Sequence, residues 1–320
     1  MLMGGNNIKK IIVISVMLCV ALISCKETSS PVAPDKLAVT FVTKWGSYGT
    51  GDGQFYYPAG VAVDSAGNVY VSDYENYNIQ KFTSAGVFVK KWGSEGTADG
   101  QFDASMGLAV DSVDNVYVVD SWNNRIQKFT SSGVFITKWG SGGTGDGEFN
   151  NPMRVAVDSA GNVYVSEYGN HRIQKFTSEG TFITKWGSLG TGDGEFKAPM
   201  GIAVDSAGNV YVVDNDNYRI QKFTSEGVFV TKWGSYGTGN IQFHEPNEVA
   251  VDSYGNVYVT DVGNNRIKKF TSEGVFVTNW GGYGSGDGQF NGPVGVAVGS
   301  AGNIYVADSS NYRIQKFVQQ

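Results

Sequence analysis

Six of the seven tryptophans, Trp45, Trp92, Trp139, Trp186, Trp233 and Trp280, stand 47 residues apart, and only Trp122 falls outside the series. A fixed period of this size restricts the chain to a solenoid, a propeller or an array. The text around the tryptophans recurs as KWGS-x-G-T-G-D-G-x-F, then P-x-G-V-A-V-D-S-A-G-N-V-Y-V, then N-x-R-I-Q-K-F-T-S-x-G-x-F. In the first copy it predicts strands over Gly60–Asp64, Asn68–Asp73, Asn78–Thr83 and Gly86–Trp92. All are rich in Val, Ile, Phe and Tyr, and Ser-Ala-Gly-Asn and Thr-Ser-Ala-Gly supply the turns between them. Four short strands per copy, with no helical period, predict an all-β chain folded as a six-bladed β-propeller. Composition agrees, with 44 glycines, 35 Tyr plus Phe and only 17% charged residues.

The ends of the array point to a closed ring. The sixth copy stops at Gln320 after its third strand, Arg313–Phe317, while Val39–Trp45 reads like the fourth strand of the other copies. The N-terminal strand is therefore expected to complete the last blade, leaving no open sheet edge at the seam.

The first residues form a separate unit. Lys9 and Lys10 precede the apolar run Ile11–Ile23, which ends in Leu22-Ile23-Ser24-Cys25. This run is shorter than the roughly 20 apolar residues a membrane span requires, and it reads as an export signal. LISC resembles the lipobox of bacterial lipoproteins, which implies lipidation at Cys25. The expected organisation is a signal peptide over 1–24, a lipidated cysteine and flexible tether over 25–36, and a propeller over 37–320. Removal of the signal would take Cys19 with it, so no internal disulfide is expected. Lys26 is not the aspartate that retains many lipoproteins at the inner membrane, which points to the outer membrane where two membranes exist. The net charge of −6 falls to −8 once Lys9 and Lys10 are gone, which disfavours nucleic acid as a partner.

The repeat consensus G-x-F-x-x-P-x-G-V-A-V-D-S-A-G-N-V-Y-V-x-D-x-x-N-x-R-I-Q-K-F resembles the NHL repeat over residues 37–320. The resemblance implies a propeller. It leaves activity open, because the family holds RNA-binding and protein-binding domains, extracellular sensor domains and a zinc-dependent lyase.

Most recurring residues read as structural. Asp73, Asp120, Glu167, Asp214, Asp261 and Asp308 end the second strands, and Asn78, Arg125, Arg172, Arg219, Arg266 and Arg313 open the third. An acid and a base flanking a tight turn predict an ion pair closing each hairpin. The asparagines between them, Asn76 to Asn311, are expected to adopt positive φ and bond their own backbone. The family's zinc site uses histidines, but this chain has only His171 and His244, at different repeat positions. No cofactor is expected; Ca2+ in the central channel stays open without a spacing signature.

The copies differ mainly on one face. Turns between first and second strands barely change (DSAGN, DSVDN, DSYGN, GSAGN), whereas approaches to the first strand read YYPAG, DASMG, NNPMR, KAPMG, HEPNE and NGPVG. The second-to-third turns also diverge, which places recognition on that face. Candidate ligand contacts there are Arg154 and Glu248, which replace a glycine, with Asn247 beside them. Met106, Met153 and Met200 form an apolar arc, and Tyr57, Tyr74, Trp122, Tyr168, His171, Tyr218 and His244 add rings. Arg154 and Glu248 either pair across the channel mouth or grip a polar ligand. The function expected is non-catalytic, extracytoplasmic recognition of a protein, peptide or glycan by a monomer. A divalent-cation-dependent lyase or hydrolase centred on the channel is the alternative.

Overall fold

The β-branched and aromatic residues of each copy form four antiparallel strands, in the first blade Pro58–Val63, Val69–Asp73, Asn78–Phe82 and Phe88–Trp92. A computed structural model describes residues 38–319, so the signal segment, Cys25 and the tether lie outside the described residues. Six such four-stranded sheets form, each in chain order except the last. The first strand starts at Pro58, two residues before the expected start, because pairing to Asp73 resumes beyond an irregularity in the ladder. The first strands of neighbouring blades touch all the way round, last to first, and so surround the axis of a propeller.

The last sheet is completed as the sequence implies. Val39–Trp45 pairs antiparallel with Arg313–Gln319, from Val39 opposite Gln319 to Trp45 opposite Ile314. Second and third strands are buried on both faces, and the core lies between blades rather than within one. One cluster joins Phe55, Val69, Val71 and Phe82 of the first blade to Ala297, Tyr305 and Ile314 of the last. Trp45, on the outer strand of the last blade, lies 5.7 Å from Phe82 of the first. A Cβ on Gly86 would come within 2.6 Å of the Trp45 ring, so the repeated glycine of this turn is what lets the indole seat itself. The periodic tryptophans are therefore clasps between blades.

The Gly-rich joint that carries the chain from rim to axis is fastened by polar side chains. In the second blade the fully buried Asp120 carboxylate accepts the Asp103 N–H at 2.7 Å and Arg125 Nε at 2.6 Å. Asn123 Nδ2 and Gln127 Nε2 also donate to it, both at 3.0 Å. The other Arg125 nitrogens donate to the carbonyls of Thr97, Ala98 and Gln101 in the joint at 2.7, 2.9 and 2.9 Å. Arginine suits the position because its planar fork serves several acceptors at once. The expected acid–base pair forms in blades two to six, at 2.5–2.8 Å, and its reach extends well beyond the hairpin.

The expectation for the turn asparagines needs correction. Positive φ falls one residue later, on Tyr77, Asn124, His171, Tyr218, Asn265 and Tyr312. The asparagines instead donate outward; Asn123 Nδ2 reaches the Gly96 carbonyl of the joint at 2.9 Å as well as Asp120. A side-chain amide satisfies joint and carboxylate together here, which a local Asx turn would not.

The fifth blade departs from the pattern in linked positions. Lys268 replaces the glutamine of the other blades and lies fully buried, 3.3 Å from Asp261, which already holds Arg266. Burial pushes the Lys268 ammonium down to about 8 against the pull of Asp261. The joint there has lost the aspartate that in five blades meets an outer-strand lysine; Asn240 and Asn279 stand in those places. Those exposed pairs contribute little, so their joint loss is tolerated. A lysine whose folded pKa lies below its unfolded value destabilises while both states are charged, and the penalty fades as pH rises from about 8 through the ordinary lysine range. Lys268→Gln is accordingly expected to stabilise the protein by about 1–3 kcal/mol at pH 7. Denaturant unfolding at pH 7 and pH 10 should show that gain shrinking at the higher pH.

Candidate functional site

At the axis, four blades carry glycine just inside the first strand because the next blade's backbone closes on them. A Cβ on Gly60 would lie 2.7 Å from the Met106 carbonyl, and one on Gly201 2.7 Å from the Glu248 Cα. The two exceptions, Arg154 and Glu248, turn towards each other across the ring. Arg154 Nε donates to Glu248 Oε2 at 2.5 Å, its Nη2 to Asn247 Oδ1 at 2.7 Å, and its Nη1 to the Met153 carbonyl at 3.2 Å. Arg154 is 1% exposed and Glu248 8%. Burial raises the Glu248 carboxyl against the pull of Arg154. The pair is engaged internally and plugs the channel on the variable face.

Behind the plug the channel is a cavity of ≈ 180 Å³ lined by Val and Ala side chains of all the first strands, with Leu108, Ile202 and Glu248. This donor set does not fit a divalent cation. A hard ion needs several oxygens, and the one carboxylate on the wall is already bound to Arg154. Among the described residues no group of three or more His, Cys, Asp or Glu side chains is placed to hold a metal.

In front of the plug lies a second hollow of ≈ 370 Å³, walled by Tyr57, Met200, Asn215, Tyr218, Asn247 and Val294. Burial raises the Tyr57 hydroxyl, while Arg154 pulls it down. From this hollow a row of rings runs outward over the first two blades. Tyr57 lies 6.0 Å from Tyr74, and Tyr74 6.1 Å from Trp122, both edge to face. Trp122 is 61% exposed. Burial, then the neighbouring Glu75, raises the Tyr74 hydroxyl, so Tyr74 stays a donor across the physiological range. The row is thus aromatic with an acidic border.

The other sequence candidates sort by contact. Tyr218 and His244 join a second cluster around Tyr236, at 5.0 and 5.4 Å. Met153 and Met200 are buried in the core cluster with Val249, and Met106 packs beside them, so the methionine arc forms a floor. His171 Nδ1 accepts the Ala198 N–H at 3.1 Å, the same service Asn124 Oδ1 gives Asn151 at 3.0 Å in the preceding blade. Tyr168 makes no ring contact among the described residues.

Two exposed rings that belong to these aromatic clusters escaped the sequence reading. Tyr48 packs between Tyr56 and Tyr312 at 5.2 and 5.0 Å, tilted against the first and edge-on to the second, and Tyr236 takes the same place in the second cluster. Both fill the variable slot of WGS-x-G, which reads Tyr, Glu, Gly, Leu, Tyr and Tyr in successive joints. That variation inside an otherwise constant joint was the available signal.

Six copies of the NHL repeat match the chain, at residues 55–82, 107–129, 149–176, 196–223, 243–270 and 290–317. The chain belongs to the NHL-repeat family. No curated protein sequence matches it. Among solved structures, this NHL propeller is similar to a streptogramin B lyase, at 17% identity and TM-score 0.63, over 88% of this chain and 98% of that one. It is also similar to virginiamycin B lyase from Staphylococcus aureus, at 17% identity and TM-score 0.60, over 88% of this chain and 100% of that one. A gluconolactonase from Xanthomonas campestris aligns at 13% identity and TM-score 0.64, over 84% of this chain and 88% of that one. At such identities the likeness is one of fold.

The plug yields a double-mutant test. Arg154→Gly alone strands a buried carboxylate and is expected to cost about 3–5 kcal/mol. Arg154→Gly with Glu248→Gly restores the residue of the other four blades and should cost far less. Urea unfolding of the two single variants and the double variant measures that coupling.

Proposed function

We propose that this NHL propeller is a non-catalytic recognition module that binds a protein, peptide or glycan on its variable face. We further propose that it is exported and held at a membrane through a lipidated Cys25, with the propeller facing the periplasm or the exterior. The observation that carries the first proposal is the row Tyr57–Tyr74–Trp122, which starts at the axial hollow and ends on the exposed Trp122 of the next blade. Such rings give large contact area at low entropic cost, and they dominate binding energy where they occur. The acidic border suits a ligand that presents hydroxyl, amide or ammonium donors against ring faces. The opposite face offers the near-identical Asp-Ser-x-Gly-Asn turns, which give a ligand little to discriminate by.

A channel-centred hydrolase or lyase has less support. The enzymes named among the similar structures share only fold-level likeness, and the channel wall here is Val and Ala with one paired carboxylate. Immobilised protein is expected to capture ligand from the producing cell's envelope fraction or growth medium. Trp122→Ala with Tyr74→Ala should weaken that capture at least about tenfold. Val87→Ser with Val134→Ser, on the constant face, should leave it unchanged. Capture that ignores the aromatic pair but falls with the constant-face pair would overturn the assignment.

A further inference from the structure

In five blades a guanidinium neutralises the buried carboxylate at the end of the second strand and gathers the joint carbonyls. The first blade has the carboxylate and the joint but no arginine: Asn78 stands opposite Asp73 where Arg125 stands opposite Asp120. Asp73 is fully buried and is bonded by neutral donors, the backbone N–H groups of Tyr56 and Tyr57 and the amide of Asn76. Asparagine is too short to reach the joint, and its Nδ2 turns back to the Asn76 carbonyl at 3.0 Å. That bond fixes the amide orientation, since the reverse would set oxygen against oxygen. Asn78 Oδ1 is left sealed from solvent without a partner, on a residue only 8% exposed.

The joint carbonyls are equally short of a partner. In the second blade Ala98 and Gln101 each accept one bond from protein inside the joint or from Gln127, and a second from Arg125 Nη2. Their counterparts Gly51 and Gln54 keep the first bond, from Gln54 N–H and Gln80 Nε2, and lack the second. The remaining counterpart, Thr50, accepts Lys91 Nζ at 3.1 Å, and Lys91 also pairs with Asp52 at 2.9 Å. Lys91 is the only outer-strand lysine of its column to touch a joint carbonyl among the described residues, and it stops short of Asp73. Burial pushes the Asp73 carboxyl up, as it does Asp120 beside its arginine, so the case for a missing cation rests on the unpartnered oxygens.

We propose that the first blade binds a small monovalent metal ion, of the sodium or potassium class, in the place a guanidinium fills in the other five blades. Its ligands are the Asp73 carboxylate, Asn78 Oδ1 and the carbonyls of Gly51 and Gln54. A single positive charge matches the single uncompensated carboxylate, and an all-oxygen set of mostly neutral donors is the chemistry of a hard cation. Because Asp73 also holds the N–H groups of Tyr56 and Tyr57, the ion would firm the base of the aromatic row. The inference stands whether or not that row binds a ligand.

The test compares thermal unfolding of the purified protein in sodium or potassium chloride with that in tetramethylammonium chloride, at equal ionic strength, since the bulky ion cannot enter. The metal salts are expected to raise Tm by several degrees. Asn78→Arg, which supplies the guanidinium of the other blades, should raise Tm in tetramethylammonium chloride and abolish the difference between salts. Asp73→Asn should also abolish the difference. Rubidium-soaked crystals should show an anomalous peak between Asp73 and Gln54. Equal Tm in both salts for the unaltered protein, a salt difference that survives Asn78→Arg, or a water at that place would each overturn the proposal.

Discussion

A buried carboxylate at the end of each second strand is the contact on which the ring depends. Six fully buried acids, Asp73 to Asp308, sit where second strand, turn, joint and first-strand approach converge. In the second blade Asp120 accepts a backbone N–H and amide and guanidinium hydrogens, and the same arginine grips the joint. A buried charge costs free energy unless every oxygen is served, so the neighbours are constrained together. Arginine, glutamine and asparagine recur because each fills a different remaining bond. The joint glycines answer a local need instead: Gly49 holds a positive φ, and a Cβ there would strike the Gln54 side chain at 2.4 Å.

Around that constant frame the six blades carry unequal duties. The fifth has two cations on one carboxylate and has lost its outer ion pair, while the first has a carboxylate with no arginine. The third and fifth place opposite charges at the axis and spend them on each other. These departures change charge balance without changing the strand ladders, which run in the same register through nearly every blade. The six buried acids stay fixed while their partners vary, so long as each carboxylate keeps hydrogen-bond donors.

Period, strand count and the split last blade were legible because they depend on spacing, which a repeat prints six times. The ion pair was legible for the same reason. The job of the turn asparagines was not, because the donor's target lies 27 residues away on the joint. Arg154 and Glu248 stood out against the glycines around them, yet only their burial and 2.5 Å contact show that each is occupied by the other. Tyr48 and Tyr236 were hidden inside a motif that otherwise reads as a hinge. Asn78 was visible as the odd member of an arginine column; its meaning lay in the unpartnered oxygen, which no spacing reveals.

The seam between Val39–Trp45 and Arg313–Gln319 alters how the array comes apart. A linear stack of repeats frays from its terminal units, each of which has only one neighbour. Here neither terminus belongs to a terminal unit: the first residues of the ring lie in the same sheet as the last. Opening one blade leaves its two neighbours tied together the long way round, so a local breach does not release a free end. The closing contact spans nearly the whole chain, and its entropic cost grows only with the logarithm of that span. That cost must be met before the ladder between the two termini forms, so the seam adds one contact of very long sequence separation to a ring otherwise paired within its own repeats.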